Sequence, residues 1–366
     1  MYKINRKRLV KTFVDLAKIP SPSWKEAAVA DYIIEKLKPL KADCKLYPCG
    51  GSHNLLARIE GDKSRKPLLF SCHMDTVTPC ENVVPVVTDT KITSDGTTIL
   101  GADDKSAIAV FLEAINIIKE NNAPHGPIEF LFSCAEEVGL NGVKGFDLSV
   151  LNAKYAFIFD SEGNIGRIIL KSPTQFTMNV TITGRAAHAG IAPEKGINSI
   201  RVSSEIISRI PNGRIDEETT VNVGIISGGQ ASNIVPEETS FELEVRSMNG
   251  KKLRNIVSGI DRIIRAVSKE YKAKPSISKR HEYSGFSISR DSAIVKIIDK
   301  AVRKIGLTPL YEASGGGSDT NIINRAGIKA VNLSIGMRKV HTKDEFILIN
   351  DLVDGARLIL SIIDTV

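Results

Sequence analysis

The chain has 366 residues, which is long for one compact core and favours two domains. Hydrophobic residues make up 42% and charged residues 25%, a globular composition that excludes a disordered or fibrous chain. The formal net charge of +7 comes from scattered Lys and Arg without a dense basic block, so we expect no nucleic-acid partner.

Membrane insertion and a disulfide framework are not expected either. The longest uninterrupted apolar run is Ala107–Leu112, far short of the roughly 20 residues that a membrane-spanning helix needs. The basic N-terminus continues into an amphipathic pattern and not into a secretory signal. The five cysteines include no C-x-x-C pair, which argues against a zinc ribbon and favours a reducing, cytoplasmic location.

Helical and strand patterns alternate through the first 160 residues, and several strands are continuously apolar. The predicted elements in chain order are a helix through Leu9–Ala17, a second helix opened by a capping box at Ser23–Glu26 and ending near Lys38, strands at Asn54–Ile59 and Pro67–His73, a hairpin at Val84–Thr93, a helix at Lys105–Asn121, and strands at Ile128–Cys134 and Tyr155–Asp160. This alternation predicts an α/β fold with a mostly parallel sheet covered by helices on both faces.

The pattern changes near Ser172, because Thr174–Thr183 alternates with period two, as a strand with one wet face does. The following segments complete an α+β unit and then return to the α/β pattern: Asn198–Arg209, Thr219–Ile226, Ser240–Met248, Lys251–Tyr271, Ser292–Ile305, Ala330–Ser334 and Asp351–Ile363. We therefore predict an α/β domain formed by residues 1–172 and 285–366, interrupted by an inserted α+β domain at 173–284.

Acidic residues and histidines stand where the predicted strands end. The candidates are His73-x-Asp75, Asp103-Asp104, Glu136-Glu137, Asp160, His188 and His341. In an open α/β sheet the carboxyl ends of the strands form one edge, where ligands bind. Each motif has a plainer interpretation when taken alone: a polar loop pair for His73-x-Asp75, helix capping for Asp103-Asp104, and a solvated turn for Glu136-Glu137.

The pair Glu136-Glu137 favours metal chemistry most strongly. Two like charges at the end of a buried strand are costly without compensation. Metal ligation by one carboxylate supplies that compensation and leaves the other as a proton acceptor. Cys72 and Cys134 lie within apolar strands, where small buried cysteines are common. The glycines of Gly315–Gly317 match no nucleotide-binding pattern and indicate close backbone approach to one end of a substrate.

Taken together, the motifs resemble the co-catalytic zinc peptidase family that includes peptidase T (tripeptide aminopeptidase), glutamate carboxypeptidases, succinyl-diaminopimelate desuccinylase and aminoacylase. The resemblance spans nearly the whole chain and is carried, in order, by Ser71–Val77, Gly101–Lys105, Ala135–Gly139, Asp160–Gly163, Gly184–Gly190 and Val340–Glu345. The Gly-Ala-Asp-Asp-Lys segment is most like peptidase T and its close relatives.

The resemblance implies a site that holds two divalent metal ions, Zn²⁺ with Co²⁺ or Mn²⁺ as alternatives. The implied metal ligands are His73 and Asp160 for one ion, Glu137 and His341 for the other, and Asp103 as the bridge. A cis peptide is implied after the bridging aspartate.

Catalytic and substrate-binding roles are implied in the same way. Glu136 would be the general base, Asp75 the partner that orients His73, and His188 a donor to the substrate carbonyl oxygen, supplied by the neighbouring subunit in dimeric members. The charged end of the substrate would contact Asn233 and Arg246, and Gly316 of the glycine segment is the candidate for backbone approach to one end of the substrate.

The resemblance implies a cytoplasmic dizinc exopeptidase that acts on short peptides, and we favour an aminopeptidase of the peptidase T-like type. The inserted domain would then be a lid that also serves as a homodimer interface. A carboxypeptidase or an N-acyl-amino-acid deacylase using the same site is the alternative. A catalytically silent metal-binding protein is a further alternative, although zinc ligation alone does not require Glu136.

Overall fold

A computed structural model describes residues 2–366. The helices, in chain order, are α1 (Arg6–Ala17), α2 (Ala27–Leu37), α3 (Ala102–Glu120), α4 (Asn141–Lys144), α5 (Ser199–Arg209), α6 (Gly250–Glu270), α7 (Ala293–Lys304), α8 (Asp319–Arg325) and α9 (Ile349–Thr365). Their apolar residues recur at helical spacing, as Leu9, Phe13 and Leu16 do on α1, so each longer helix can bury one side against a sheet.

The strands lie between these helices. In chain order they are β1 (Asp43–Cys49), β2 (Ser52–Ile59), β3 (Leu68–His73), β4 (Val86–Val87), β5 (Lys91–Thr93), β6 (Ile128–Ser133), β7 (Tyr155–Ser161), β8 (Arg167–Ser172), β9 (Thr174–Thr183), β10 (Gly213–Asp216), β11 (Thr219–Gly228), β12 (Glu238–Ser247), β13 (Lys274–Tyr283), β14 (Phe286–Ser287), β15 (Leu310–Ala313), β16 (Lys329–Ser334), β17 (Met337–Arg338) and β18 (Phe346–Leu348). The strands β3 and β6 are buried throughout, which explains their continuous apolar sequences.

The described residues form two compact units, and the first contains residues 2–170, 287–313 and 318–366. Its main sheet has the order β1-β2-β6-β3-β7-β16-β8, in which β6, β3, β7 and β16 are mutually parallel. A smaller antiparallel sheet has the order β17-β18-β5-β4. The predicted α/β fold with a mostly parallel sheet is confirmed.

Both faces of the main sheet are covered. On one face Phe70 and Phe130 stack with a centroid separation of 5.5 Å and pack in the same core as residues of α1, α3, α7 and α9. On the other face Leu69 and Leu131 pack in a separate core with residues of α4 and α8. Alternate side chains of a strand point to opposite faces, so neighbours in sequence serve different cores.

The predicted capping box at the start of α2 is wrong. The helix begins at Ala27, and its N-cap Glu26 makes no capping hydrogen bond. The Ser23 hydroxyl instead donates to Asp75 Oδ2 at 2.7 Å, and Glu26 Oε1 accepts from the backbone N–H of Ala135 at 2.9 Å. Ser23 is therefore committed to a long-range hydrogen bond, and Glu26 Oε1 combines its long-range bond with a local one from the Trp24 N–H at 2.8 Å. The local pattern could not reveal the long-range partners.

The second unit contains residues 171–286 together with 314–317. Its antiparallel sheet has the order β10-β11-β12-β9-β13. Met178, Val180 and Ile182 alternate along β9 and are buried in one core with residues of α5 and α6. The unit thus places helices against one face of a sheet.

The short glycine segment is the main difference from the predicted domain boundaries. Ser314–Gly317 groups with the second unit, although the predicted inserted domain ends at residue 284. Within that unit Ser172 Oγ donates to Gly316 O at 3.0 Å, and the backbone of Gly317 packs closely against the Tyr283 ring. Contacts made far from the insertion in sequence therefore decide where this segment belongs.

No helix within residues 2–366 combines the length and the apolar character that a bilayer crossing requires. All five cysteines are free, as expected from their spacing.

Candidate metal centre and active site

The predicted site residues of the first unit follow the carboxyl ends of its central strands. His73 ends β3, Glu136 and Glu137 come shortly after β6, and Asp160 lies near the end of β7. Because β3, β6 and β7 are parallel neighbours, their carboxyl ends meet at one edge of the sheet.

Two further residues complete the cluster from outside the sheet. Asp103 lies in the first turn of α3, where it and Asp104 have non-helical backbone angles. His341 lies in the loop between β17 and β18. The peptide bond between Asp103 and Asp104 is cis, as the resemblance implies.

Asp103 stands between two pairs of donor atoms. Its Oδ1 lies 3.0 Å from His73 Nε2, and His73 Nε2 lies 3.9 Å from Asp160 Oδ1. Its Oδ2 lies 3.3 Å from His341 Nε2, which is 3.0 Å from Glu137 Oε1. The five predicted metal ligands are therefore brought together, with one carboxylate oxygen of Asp103 facing each pair.

The charges of the cluster are those of a cation site. Burial, followed by repulsion from neighbouring carboxylates, raises the pKa of Glu136 well above its ordinary value. Burial likewise raises the pKa of Asp104 and Asp160. Hydrogen bonds to Asp103 and Glu137 raise the pKa of His341 to about 10. The carboxylate shifts come first from burial and then from mutual repulsion, and the His341 shift comes from its two acidic partners. A bound cation would relieve the repulsion between the carboxylates.

The donor set fits two divalent cations. His73, Asp103 and Glu137 offer ligand atoms within 4.8 Å of one another, and so do His73, Asp104 and Asp160. Asp104 Oδ1 is buried and has no hydrogen-bond partner within residues 2–366, so this carboxylate is incompletely satisfied. Imidazole nitrogens and carboxylate oxygens are the ligands of catalytic zinc and related ions.

His73 is held in the orientation that metal binding requires. Its Nδ1 lies 2.9 Å from the backbone oxygen of Asp75 and 3.5 Å from Asp75 Oδ1, and both of these oxygens can only accept. Nδ1 therefore carries a proton, and Nε2 faces the cluster, where its lone pair would be free to bind a metal ion.

Asp75 also organises the two glutamates. Its carboxylate accepts from the backbone N–H groups of Glu136 at 3.0 Å and Glu137 at 3.1 Å, and from the Ser23 hydroxyl. Burial opposes ionisation of Asp75, but His73 and these donors outweigh burial and lower its pKa. An ionised Asp75 thus fixes both the candidate base and a candidate ligand.

The turn before Glu136 adopts a left-handed conformation that favours glycine. Ala135 has a φ of 48°, which costs a non-glycine residue about 1–2 kcal/mol. The bond from its N–H to Glu26 helps to hold this turn, after which the N–H groups of Glu136 and Glu137 both reach Asp75. Such backbone positions concentrate at functional sites.

The remaining predicted site residues lie in the second unit. Exposed His188 forms a β-bridge with Ile234, and the next N–H, that of Ala189, donates to the backbone oxygen of Asn233 at 2.9 Å. The backbone N–H of Gly190 donates to His188 Nδ1 at 3.2 Å. Nε2 of His188 therefore carries the proton and can donate it in a hydrogen bond.

Arg246 and Gly316 also come together within this unit. Arg246 Nη1 lies 3.5 Å from Gly315 O, at the loop that contains Gly316. The guanidinium already donates to Glu244, from Nε at 3.1 Å and from Nη2 at 2.9 Å. Its charge is thus partly neutralised, which the sequence did not indicate.

Several residues that support the site were not identified from the sequence as contributing to it. The sequence pattern predicts helix capping for Ser23 and Glu26, and it indicates no role for Glu345, although Glu345 ends the last matching motif. Asn332 exchanges hydrogen bonds with the Asp160 backbone, and buried Asp319 accepts from the Ser133 hydroxyl. One sequence signal could have identified Glu345, namely an acidic residue placed four positions after the candidate ligand His341.

The comparisons with known proteins agree with this geometry. A family model of the peptidase dimerisation domain matches residues 173–272, and one of peptidase family M28 matches residues 54–195. The crystal structure of the aminopeptidase PepT from Bacillus cereus is 37% identical, covers 99% of both chains and has a TM-score of 0.88. That of a tripeptidase from Staphylococcus aureus is 37% identical, covers 98% of both chains and has a TM-score of 0.93.

Relatives among the curated proteins lead to the same family. The protein YqjE of Bacillus subtilis is 39% identical over 99% of both chains. Peptidase T of Clostridium perfringens is 31% identical over 75% of this chain and 68% of its own length. With the shared motifs and the shared fold, these similarities show that the chain belongs to the peptidase T family.

Proposed function

We propose that this protein is a metal-dependent aminopeptidase that cleaves short peptides, with two divalent cations held at the carboxyl edge of the main sheet. The observation that carries the proposal is the position of Asp103, whose two carboxylate oxygens face His73 and His341 separately. Membership of the peptidase T family and the names of the relatives, an aminopeptidase and a tripeptidase, support the choice of substrate.

The proposed ligands are His73 and Asp160 for one ion and Glu137 and His341 for the other, with Asp103 shared. The three carboxylates would contribute three negative charges against the four positive charges of two dications, which leaves the site electrophilic. We favour zinc because mixed histidine and carboxylate sets suit it. When bound, the two ions would polarise the scissile carbonyl and lower the pKa of water.

Glu136 is the proposed general base. It lies beside the ligand Glu137, and burial raises its pKa, which increases its affinity for a proton. It would take the proton of the attacking water and pass it to the nitrogen of the leaving amine. Asp75 supports this step by fixing the Glu136 backbone and the His73 ring.

The second unit would supply substrate contacts. The protonated Nε2 of His188 is suited to donate to the carbonyl oxygen as negative charge develops there. We further propose that Asn233, Arg246 and Gly316 contact the charged end of the peptide. The match of residues 173–272 to a peptidase dimerisation domain supports a homodimer formed through this unit. We propose a cytoplasmic location because all five thiols are free.

A matched substrate panel tests the proposal. The purified protein, reconstituted with Zn²⁺, Co²⁺ or Mn²⁺, is assayed with free tripeptides, N-acetylated tripeptides and tripeptide amides. An aminopeptidase cleaves the free tripeptides and the amides and fails with the N-acetylated set. Cleavage of the free and acetylated tripeptides but not of the amides would favour the carboxypeptidase alternative, and cleavage of the acetylated set alone would favour the deacylase. No cleavage of any peptide would contradict the proposal.

A further inference from the structure

We propose that Glu345 is a positioning residue that fixes Asp103 relative to His341 and thereby sets the geometry of the proposed two-metal site. The inference rests on the proposed function, since it concerns the ligand that the two ions would share. Glu345 lies four residues after His341 and only 1% of its surface is exposed.

The carboxylate of Glu345 is occupied by the segment that leads into Asp103. Its Oε2 accepts from the backbone N–H groups of Leu100 at 2.8 Å and Gly101 at 2.7 Å. Its Oε1 accepts from the N–H of Asp103 itself at 3.0 Å. Both oxygens are used, and they hold this segment on both sides of the Gly101–Ala102 bond.

These bonds act on a segment without regular helical hydrogen bonding. Asp103 and Asp104 have non-helical angles, and Gly101 has a φ of 75°. The backbone N–H groups at the start of a helix have no partner within the helix. Glu345 accepts from one N–H of the first helical turn, that of Asp103, and from the N–H groups of Gly101 and Leu100 just before the helix, and it therefore defines where the Asp103 side chain begins.

Glu345 itself is attached to a rigid element. It immediately precedes β18, whose Phe346 pairs with Thr93 of β5, and its own N–H donates to the oxygen of Thr342. One short segment thus carries His341 and the acceptor that holds Asp103, a residue 242 positions away in sequence. Movement of this segment would displace both ligands together, so their separation is preserved.

A glutamine at position 345 would break this arrangement with little change in volume. An amide has one acceptor oxygen and one NH₂ donor, so at least one of the three N–H groups would face another donor. Replacement of residues that orient metal ligands lowers metal affinity about 10- to 100-fold. We therefore expect E345Q to bind metal 10- to 100-fold more weakly and, at limiting metal, to show lower kcat with little change in KM.

Glu129 provides the matched control. It is also buried in the first unit, and its Oε2 accepts from the backbone N–H groups of Asn152 at 2.9 Å and Ala153 at 3.0 Å. It lies in β6 and makes its bonds at the opposite end of that strand from Glu136. E129Q should lower Tm without changing metal affinity, which is the behaviour of a purely structural carboxylate.

The experiment is a Co²⁺ titration of metal-free wild type, E345Q and E129Q, followed by visible absorption, with Tm measured for each. The expected result is weaker Co²⁺ binding in E345Q alone, with the spectrum and most of the turnover restored by excess metal. Wild-type Co²⁺ affinity in folded E345Q would overturn the inference.

If E345Q fails to fold, E345D, which keeps the charge on a shorter side chain, takes its place. Wild-type affinity in E345D would then overturn the inference. Cobalt binding is read without substrate, so inactive wild type that binds two Co²⁺ ions would reject the proposed function and leave this inference standing. Wild type that binds no Co²⁺ would reject both.

Discussion

The carboxylate of Asp75 accepts a hydrogen bond from the backbone N–H of Glu136 at 3.0 Å. The same carboxylate accepts from the Glu137 N–H, and the backbone oxygen of Asp75 orients the His73 ring. One buried residue, Asp75, thereby positions the candidate base Glu136 and the candidate ligands Glu137 and His73. Replacement of Asp75 should therefore disturb the positions of Glu136, Glu137 and His73.

For Asp75→Asn we expect metal affinity to fall about 10- to 100-fold. The asparagine NH₂ would face a backbone N–H or the His73 Nδ1 proton. The positions of Glu136 and Glu137 would shift, and the orientation of His73 would be weakened, because only the backbone oxygen of residue 75 would still hold it. Metal titration and steady-state kinetics with a free tripeptide provide the measurement. Exposed Asp147, whose carboxylate accepts from Ser149 N–H, is the control, and D147N should match wild type. Unchanged affinity in D75N would contradict its assigned role.

For Glu136→Gln we expect normal metal content and a fall in kcat of about 10²- to 10⁴-fold, because the amide cannot accept the proton of water. Metal analysis of the purified variant and single-turnover assays test this. The adjacent variant Glu137→Gln should instead lose metal, since Glu137 Oε1 is one of the donor atoms near His341. Full turnover by E136Q would mean that another group is the base.

For His188→Ala we expect kcat to fall by about 10²- to 10³-fold with bound metal unchanged, because a donor to the developing negative charge is lost. Nearby Ile191 is exposed and lies outside the proposed contacts, so I191S serves as the control. Loss of bound metal from H188A would show that the imidazole is a ligand.

Removal of metal should lower the thermal stability of the protein. The clustered carboxylates repel one another once no cation compensates them, and a ligand that binds only the folded state stabilises it by mass action. Differential scanning calorimetry with and without chelator provides the measurement. The same chelator should leave the Tm of Asp103→Ala nearly unchanged. If the chelator lowered the Tm of this variant as much as that of wild type, metal binding through Asp103 would be ruled out.

The pH dependence of stability offers a test in the second unit. On α6, the Arg265 hydrogen bond is the main cause that lowers the pKa of Asp261, and Lys279 Nζ adds a contact at 3.1 Å. A lowered folded-state pKa means that this stabilisation is complete above the unfolded pKa of about 4 and is lost as the pH falls below it.

For Asp261→Asn we therefore expect the free energy of unfolding to fall by about 0.5–1 kcal/mol at pH 7, since the pair is partly exposed. The difference from wild type should shrink as the pH drops below about 4. Urea unfolding at several pH values measures it, and exposed Asp31→Asn is the reference variant. A difference independent of pH would show that charge is not responsible.

Much of the fold could be predicted because periodicity is a local property. The alternation of Thr174–Thr183 gives β9, and the continuous apolar segments give β3, β6 and β7. Short or exposed strands were not predicted, among them β1 and β13, because they lack a continuous apolar face. Pairing gives them their conformation: β13 pairs with β9, which lies outside any local window, and β1 forms a hairpin with β2, which directly follows it in the chain.

The amino-acid sequence by itself indicated that His73, Glu137 and Asp160 follow apolar strands and would converge at one edge of a parallel sheet, whereas the ligand roles of Asp103 and His341 were implied by the family resemblance. It did not determine which polar residues hold those ligands in place. Ser23 lies 52 positions from Asp75, and Glu345 lies 242 from Asp103. Only the tertiary structure decided these pairs, because a buried carboxylate bonds to whichever N–H groups the packing of distant segments brings to it.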